Sequence, residues 1–151
     1  MIRGTLAGVL LVLIALPGSA LAQAKRWERQ VRAQLDRTVA ALQGSSPGSA
    51  RILTVGPLNT EESQSLVIQL QSGATYEIVG TCDEDCSDLH LWLSTGSGDD
   101  VAVDRSSENH PVLRFRPRAA GTYRVRVAMA ACRVNPCWFG VAIRDSAGQK
   151  P

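Results

Sequence analysis

The feature that most constrains this chain is a change of hydrophobic period at Arg51, from a helical repeat to strict alternation. Beyond that point Leu89-His90-Leu91-Trp92-Leu93 and Tyr123-Arg124-Val125-Arg126-Val127 alternate apolar and polar residues, the signature of strands with one buried face. Eight such segments are expected: 52–55, 65–70, 75–81, 89–94, 101–104, 112–117, 122–129 and 138–144. Turn-forming runs separate them, among them Gln71-Ser72-Gly73, Gly96-Ser97-Gly98-Asp99 and Pro117-Arg118-Ala119-Ala120-Gly121. Many short strands with no helix between them predict an all-β fold, an antiparallel jelly-roll-like β-sandwich over residues 51–145. The alternation turns Leu89, Leu91, Leu93, Leu113, Phe115, Tyr123, Val125 and Val127 inward, and His90, Trp92, Arg114, Arg116, Arg124 and Arg126 outward. If 112–117 and 122–129 form a hairpin, the four arginines share one exposed face.

Ahead of the strands, Trp27, Val31, Leu35, Val39 and Leu42 form one apolar stripe at helical spacing, with the basic residues mostly elsewhere on the wheel. An amphipathic helix over residues 23–43 is expected, followed by a flexible Gly/Ser/Pro linker at 44–50. The stripe suits packing on the sandwich or on a second copy of the chain, which would make it a route to a homo-oligomer. The alternative is a basic helix lying on an anionic membrane surface.

The start, Met1–Ala22, has one arginine, an apolar run from Leu6 to Leu16 and an Ala20-Leu21-Ala22 end, which reads as a secretory signal peptide. The run falls short of the roughly 20 residues of a spanning helix, so the mature chain is expected to have no transmembrane segment. Export, periplasmic or fully secreted, makes sense of the four cysteines, which come as Cys82/Cys86 and Cys132/Cys137. Close pairing is favoured because each pair falls at a strand turn; cross-pairing would close loops of about fifty residues, and a four-cysteine zinc site is the rival.

Asp88-Leu89-His90-Leu91-Trp92-Leu93, the Gly/Asp turn after it, Val101-Ala102-Val103-Asp104 and Gly121-Thr122-Tyr123-Arg124-Val125-Arg126-Val127 resemble bacterial pre-peptidase C-terminal domains. That resemblance covers roughly Leu53–Arg144 and implies a jelly-roll-like sandwich serving secreted peptidases as an accessory or binding module, with calcium or collagen binding in some related modules. The family's second aspartate in this strand is His90 here, and no peptidase domain accompanies the module. The resemblance therefore implies a fold more strongly than an activity.

Charge is segregated although the net charge is only +2, which gives no case for nucleic acid. The span 77–108 carries a balance of −8 and the span 110–151 a balance of +7, so either a steering dipole or simple cross-strand pairing is expected. Calcium is the one cofactor the residues suggest, with Asp83, Asp85, Asp88, Asp99, Asp100 and Asp104 as ligands if the two acidic loops meet. No catalytic residue is expected: Ser106, His110 and Asp104 can be drawn as a triad, but no nucleophile elbow surrounds them. Binding is the expected role, through His90, Trp92, Trp138 and the arginines, toward an envelope or secreted protein, with a glycan or calcium as the alternative. A covering of Trp92 by the helix would remove that face.

Overall fold

A computed structural model describes residues 18–43 and 49–146. The expected leader up to residue 17, the linker at 44–48 and, of the C-terminal tail that the sequence places at 146–151, the residues from 147 on lie outside the described residues. Among the described residues one helix, α1 (Gly18–Gln43), precedes eight strands: β1 (Ala50–Leu58), β2 (Ser63–Leu70), β3 (Thr75–Cys82), β4 (Cys86–Thr95), β5 (Asp100–Asp104), β6 (Val112–Phe115), β7 (Gly121–Cys132) and β8 (Cys137–Ser146). They form two antiparallel sheets, β1-β8-β3-β6 and β2-β7-β4-β5. The pairs nest, first strand with last and so inward to the β4–β5 hairpin, which is the strand order of a jelly roll. Helix α1 starts earlier than the expected residue 23 and runs unbroken through Ala22.

The nesting corrects one expectation. β6 pairs with β3, and β7 pairs with β2 and β4 in the other sheet, so 112–117 and 122–129 are not a hairpin. The turn between them carries the chain from one sheet to the other. Arg114 and Arg116 therefore lie on a different face from Arg124 and Arg126, and no four-arginine surface exists.

The core lies between the sheets. Leu89, Leu91 and Leu93 of β4 face Phe139, Val141 and Ile143 of β8, all essentially solvent-free. Each side chain of this size stabilises the fold by about 1.5–3 kcal/mol when buried. In the β4–β5 turn, Gly98 sits at φ 101°, a left-handed conformation that the absent Cβ makes cheap. Around it the Thr95, Ser97 and Asp99 side chains hydrogen-bond one another.

Helix α1 lies on the outer face of the β1-β8-β3-β6 sheet. Its stripe buries Val31 and Leu35 completely against Val79 and Ala142, with Val39, Ile52, Val55 and Trp138 around them. Gly140 on β8 makes the close approach possible: a Cβ there would come within 2.4 Å of Leu35 Cδ1 and 2.9 Å of Val31 Cγ1. The Thr81 hydroxyl donates to Gln34 Oε1 at 2.9 Å across the same seam. The stripe thus packs on its own sandwich, which leaves Val31 and Leu35 available neither to a second copy nor to a membrane surface. No helix among the described residues is long and apolar enough to cross a membrane.

Two disulfides, Cys82–Cys86 and Cys132–Cys137, follow the close pairing. The first joins β3 to β4 and the second β7 to β8, so each ties one sheet to the other. Cys86 and Cys132 are also direct partners across β4 and β7, which brings both bridges to the same end of the sandwich. Such bonds mark a chain that matures in an oxidising compartment.

Candidate functional site

With α1 on one sheet, the outer face of β2-β7-β4-β5 is left without a covering element among the described residues. Its residues follow from register. Trp92 on β4 faces Arg126 on β7 and Val103 on β5, and Arg126 in turn faces Ser65 on β2. Facing side chains on one sheet surface stand about 5 Å apart, close enough to stack. The Arg126 guanidinium carbon lies 3.7 Å from the centre of the Trp92 ring, a cation–π contact. His90, two residues along the same face, meets the indole edge-on at 5.6 Å. The exposed valines 67, 101 and 103 surround this stack, with Arg124 exposed beside Val67.

Such a surface sets a half-buried tryptophan and an arginine, residue types enriched in protein-binding hot spots, among exposed valines. It suits a sugar ring less well. Stacking on a sugar needs an open indole face, and here one face carries Arg126 while Val103 stands across from the ring on the other side.

No family model matches this chain, and no curated protein does. Among solved structures it is similar to the Macrobrachium rosenbergii nodavirus P-domain, at 14% identity over 68% of this chain and 94% of that one. The TM-score is 0.28, too low for that likeness to inform the function.

The other expected site residues are dispersed. Trp138 lies on the opposite sheet from Trp92, beside α1, where it lines a groove of about 230 Å³ with Trp27, Val134 and Pro136. Arg114 is bound to Glu77 through two nitrogens at 3.1 and 3.2 Å, and the buried Arg144 reaches the other Glu77 oxygen at 3.8 Å. Glu77 faces both arginines across β6 and β8, so this part of the charge segregation is cross-strand pairing. Arg116 is exposed just past the end of β6.

The six aspartates do not form one cluster. The acidic loops lie at the two ends of β4, whose ten residues span about 30 Å at the usual strand rise. No three His, Cys, Asp or Glu side chains converge on a metal position among the described residues. Asp85 lies 3.7 Å from Arg133, Asp88 lies 3.0 Å from His90 Nε2, and Asp99 accepts from Ser97. Asp100 is exposed at the start of β5. Burial tends to raise the pKa of Asp104, but hydrogen bonds from the Ser106 hydroxyl, the Val112 N–H and the Ser106 N–H, with His90 nearby, outweigh it and hold the group below its ordinary value. The Ser106 hydroxyl thus caps Asp104 at 2.6 Å, while His110 Nδ1 contacts Asn109, so the drawn triad does not assemble.

Asp83 has a structural role that its acidic surroundings conceal. It is only 1% exposed, at the disulfide end. One carboxylate oxygen accepts the Trp138 N–H at 2.7 Å and the other the Asp85 N–H at 3.1 Å, latching the β3–β4 turn to β8. Burial raises its pKa above the ordinary 3.8, against the pull of those hydrogen bonds. The folded state therefore holds the proton more tightly than the unfolded chain. Ionised Asp83 costs stability at neutral pH, and that cost disappears as pH falls through the folded pKa toward 3.8. Asp83→Asn removes the cost of the buried charge, but it keeps one acceptor and turns an amide NH2 toward a backbone N–H, an unmet hydrogen bond worth about 1–2 kcal/mol that offsets the gain. The wild type gains stability on acidification and the variant does not, so the stability of wild type relative to variant should rise from pH 7 toward pH 4. Urea midpoints for both proteins between pH 4 and 7 measure this; a difference that does not change with pH contradicts it.

Proposed function

We propose that this protein is an exported, non-catalytic binding module that engages a protein partner at the cell envelope through the outer face of β2-β7-β4-β5. The observation that carries this reading is the division of the two outer faces. One is filled by α1, whereas the other presents Trp92, stacked on Arg126, among exposed valines. The leader-like Met1–Ala22 segment and the two disulfides support export to the periplasm or beyond it. The likeness of the strand motifs to pre-peptidase C-terminal domains supports an accessory role. Protein is favoured over glycan because Arg126 already occupies one face of the indole.

A benzophenone amino acid at Val103 should form one dominant protein adduct in living cells under light, whereas the same group at the exposed Arg37 on α1 should not. Trp92→Ala should weaken that contact by about 30-fold, the effect of losing a hot-spot side chain, while the sandwich still melts cooperatively. Equal adducts from positions 103 and 37, or an adduct indifferent to Trp92→Ala, would rule out this face as the partner site.

A further inference from the structure

Among the described residues four strands lie at sheet edges: β1, β6, β2 and β5. Exposed edges invite pairing with other chains, and proteins blunt them with prolines, bulges, charges, short strands or covering elements. Three of these edges are blunted. β1 contains Pro57, carries an irregularity between Ile52 and Thr54, and lies against α1. β6 has four residues, and β5 has five, bounded by Asp100 and Asp104. The Asp104 carboxylate also accepts the Val112 N–H at 2.8 Å, fastening β5 to β6.

β2 is different. Ser63-Gln64-Ser65-Leu66-Val67-Ile68-Gln69-Leu70 contains no charge, proline or glycine, and it pairs with β7 residue for residue without a register shift. Glu61 N–H donates to Met129 O at 2.8 Å and Met129 N–H to Glu62 O at 3.0 Å. Continuing that alternation turns the backbone groups of Gln64, Leu66, Ile68 and Leu70 toward β7, and those of Ser63, Ser65, Val67 and Gln69 toward the open edge. Val67 is 66% exposed, more than any other large apolar side chain on a strand of the described fold.

We infer that β2 pairs with β2 of a second copy of this chain, antiparallel and centred on Val67, joining two four-stranded sheets into one. Facing residues of an antiparallel pair share a sheet surface, so the two-fold axis must pass through a residue. An axis at Val67 sets Val67 against its own copy and Ser65 against Gln69 on the outer face, with Leu66 against Ile68 on the core side. Apolar meets apolar and polar meets polar across 65–69, and the strand itself is uncharged; the nearest charges, Arg124 and Arg126, lie one strand in on β7, so the two copies of Arg124 stand about 14 Å apart, beyond a Debye length. A basic peptide finds no counter-charge on this strand, and an acidic one finds only Arg124 and Arg126 one strand in, the second of them already stacked on Trp92. The outer faces of the two copies become one surface, which extends the proposed binding face without depending on it.

Sedimentation of the intact, oxidised protein between about 1 and 200 μM should show a monomer–dimer equilibrium with Kd on the order of 10 μM, as expected of a small interface. Val67→Lys opposes two ammonium groups at the axis and should raise Kd about 100-fold. Because Val67 faces solvent in the single chain, circular dichroism should find this variant folded. Val67→Cys should give an oxidised covalent dimer, since hydrogen-bonded partners stand at about 5.5 Å between Cα atoms, within disulfide reach. Val103→Cys, on the same face at β5, should not. A monomer at 200 μM, a dimer indifferent to Val67→Lys, or equal cross-linking at 67 and 103 would overturn the pairing.

Discussion

Replacing Gly140 by valine is expected to cost about 3 kcal/mol and to release α1 from the sandwich. Even the first added carbon would lie 2.4 Å from Leu35 Cδ1, 3.2 Å from Leu35 Cγ and 2.9 Å from Val31 Cγ1. Val31 is β-branched and stiff, and Leu35 is fully buried, so neither can turn aside cheaply. Overpacking of this kind costs about 1–3 kcal/mol when a core can deform. Undocking instead would uncover Val31, Leu35, Val79 and Ala142, at about 1.5–3 kcal/mol for each large side chain. Urea unfolding should show the loss, and trypsin should cut at Arg32 and Arg37 at least about tenfold faster, the opening of a local unit. Leu35→Ala should then cost less in the Gly140→Val background than alone, because both changes act on one contact. Unchanged unfolding and proteolysis would mean that α1 is not held at this seam.

That seam also shows what could be read before any fold was known. Alternation identified the inward leucines of β4 and valines of β7, because those strands bury one face only. It could not choose partners: a period of two assigns faces, not neighbours. The run Pro117–Gly121 therefore resembled a hairpin turn, whereas the nested order takes the chain across to the other sheet there. The helix stripe was legible at Trp27, Val31, Leu35 and Val39, but its docking position was not. A signal for it existed in Trp138-Phe139-Gly140-Val141-Ala142-Ile143, an apolar run without alternation, which marks a strand covered on both faces. Phe139, Val141 and Ile143 enter the core, while Gly140 and Ala142 face α1.

The candidate site was partly legible for the same reason. His90 and Trp92 were readable as outward, but the Arg126 stack on Trp92 depends on the pairing of β4 with β7, which sets these two residues side by side although they lie 34 positions apart in the chain. Asp83 resembled its acidic neighbours in sequence. Only the approach of β8 gives it the Trp138 N–H and makes it a latch.

Removing both disulfides should destabilise the protein by about 4 kcal/mol or more, and removing either pair by about 2. Loops of five and six residues, closed by Cys82–Cys86 and Cys132–Cys137, each restrict the unfolded chain by about 2 kcal/mol on the loop-entropy model. Against a typical domain stability of about 5–15 kcal/mol, the combined loss is large. The two losses should not simply add. Both bridges hold the same end of the sandwich, where Asp83 joins the β3–β4 turn to Trp138 and the Asp85 carbonyl accepts the Arg133 N–H at 2.8 Å. While one bridge remains, the sheets stay together there and those hydrogen bonds persist. With both gone, the sheets can part at this end and leave the Trp138 and Arg133 backbone N–H groups without their acceptors, so the second removal should cost about 0.5–1 kcal/mol more than the first. Urea unfolding of the wild type, the two paired Cys→Ala variants and the fourfold variant measures all four corners of this cycle. A strictly additive fourfold loss would mean that the bridges act only on the unfolded chain, and a total loss below about 1 kcal/mol would refute the loop-closure account of these two bridges.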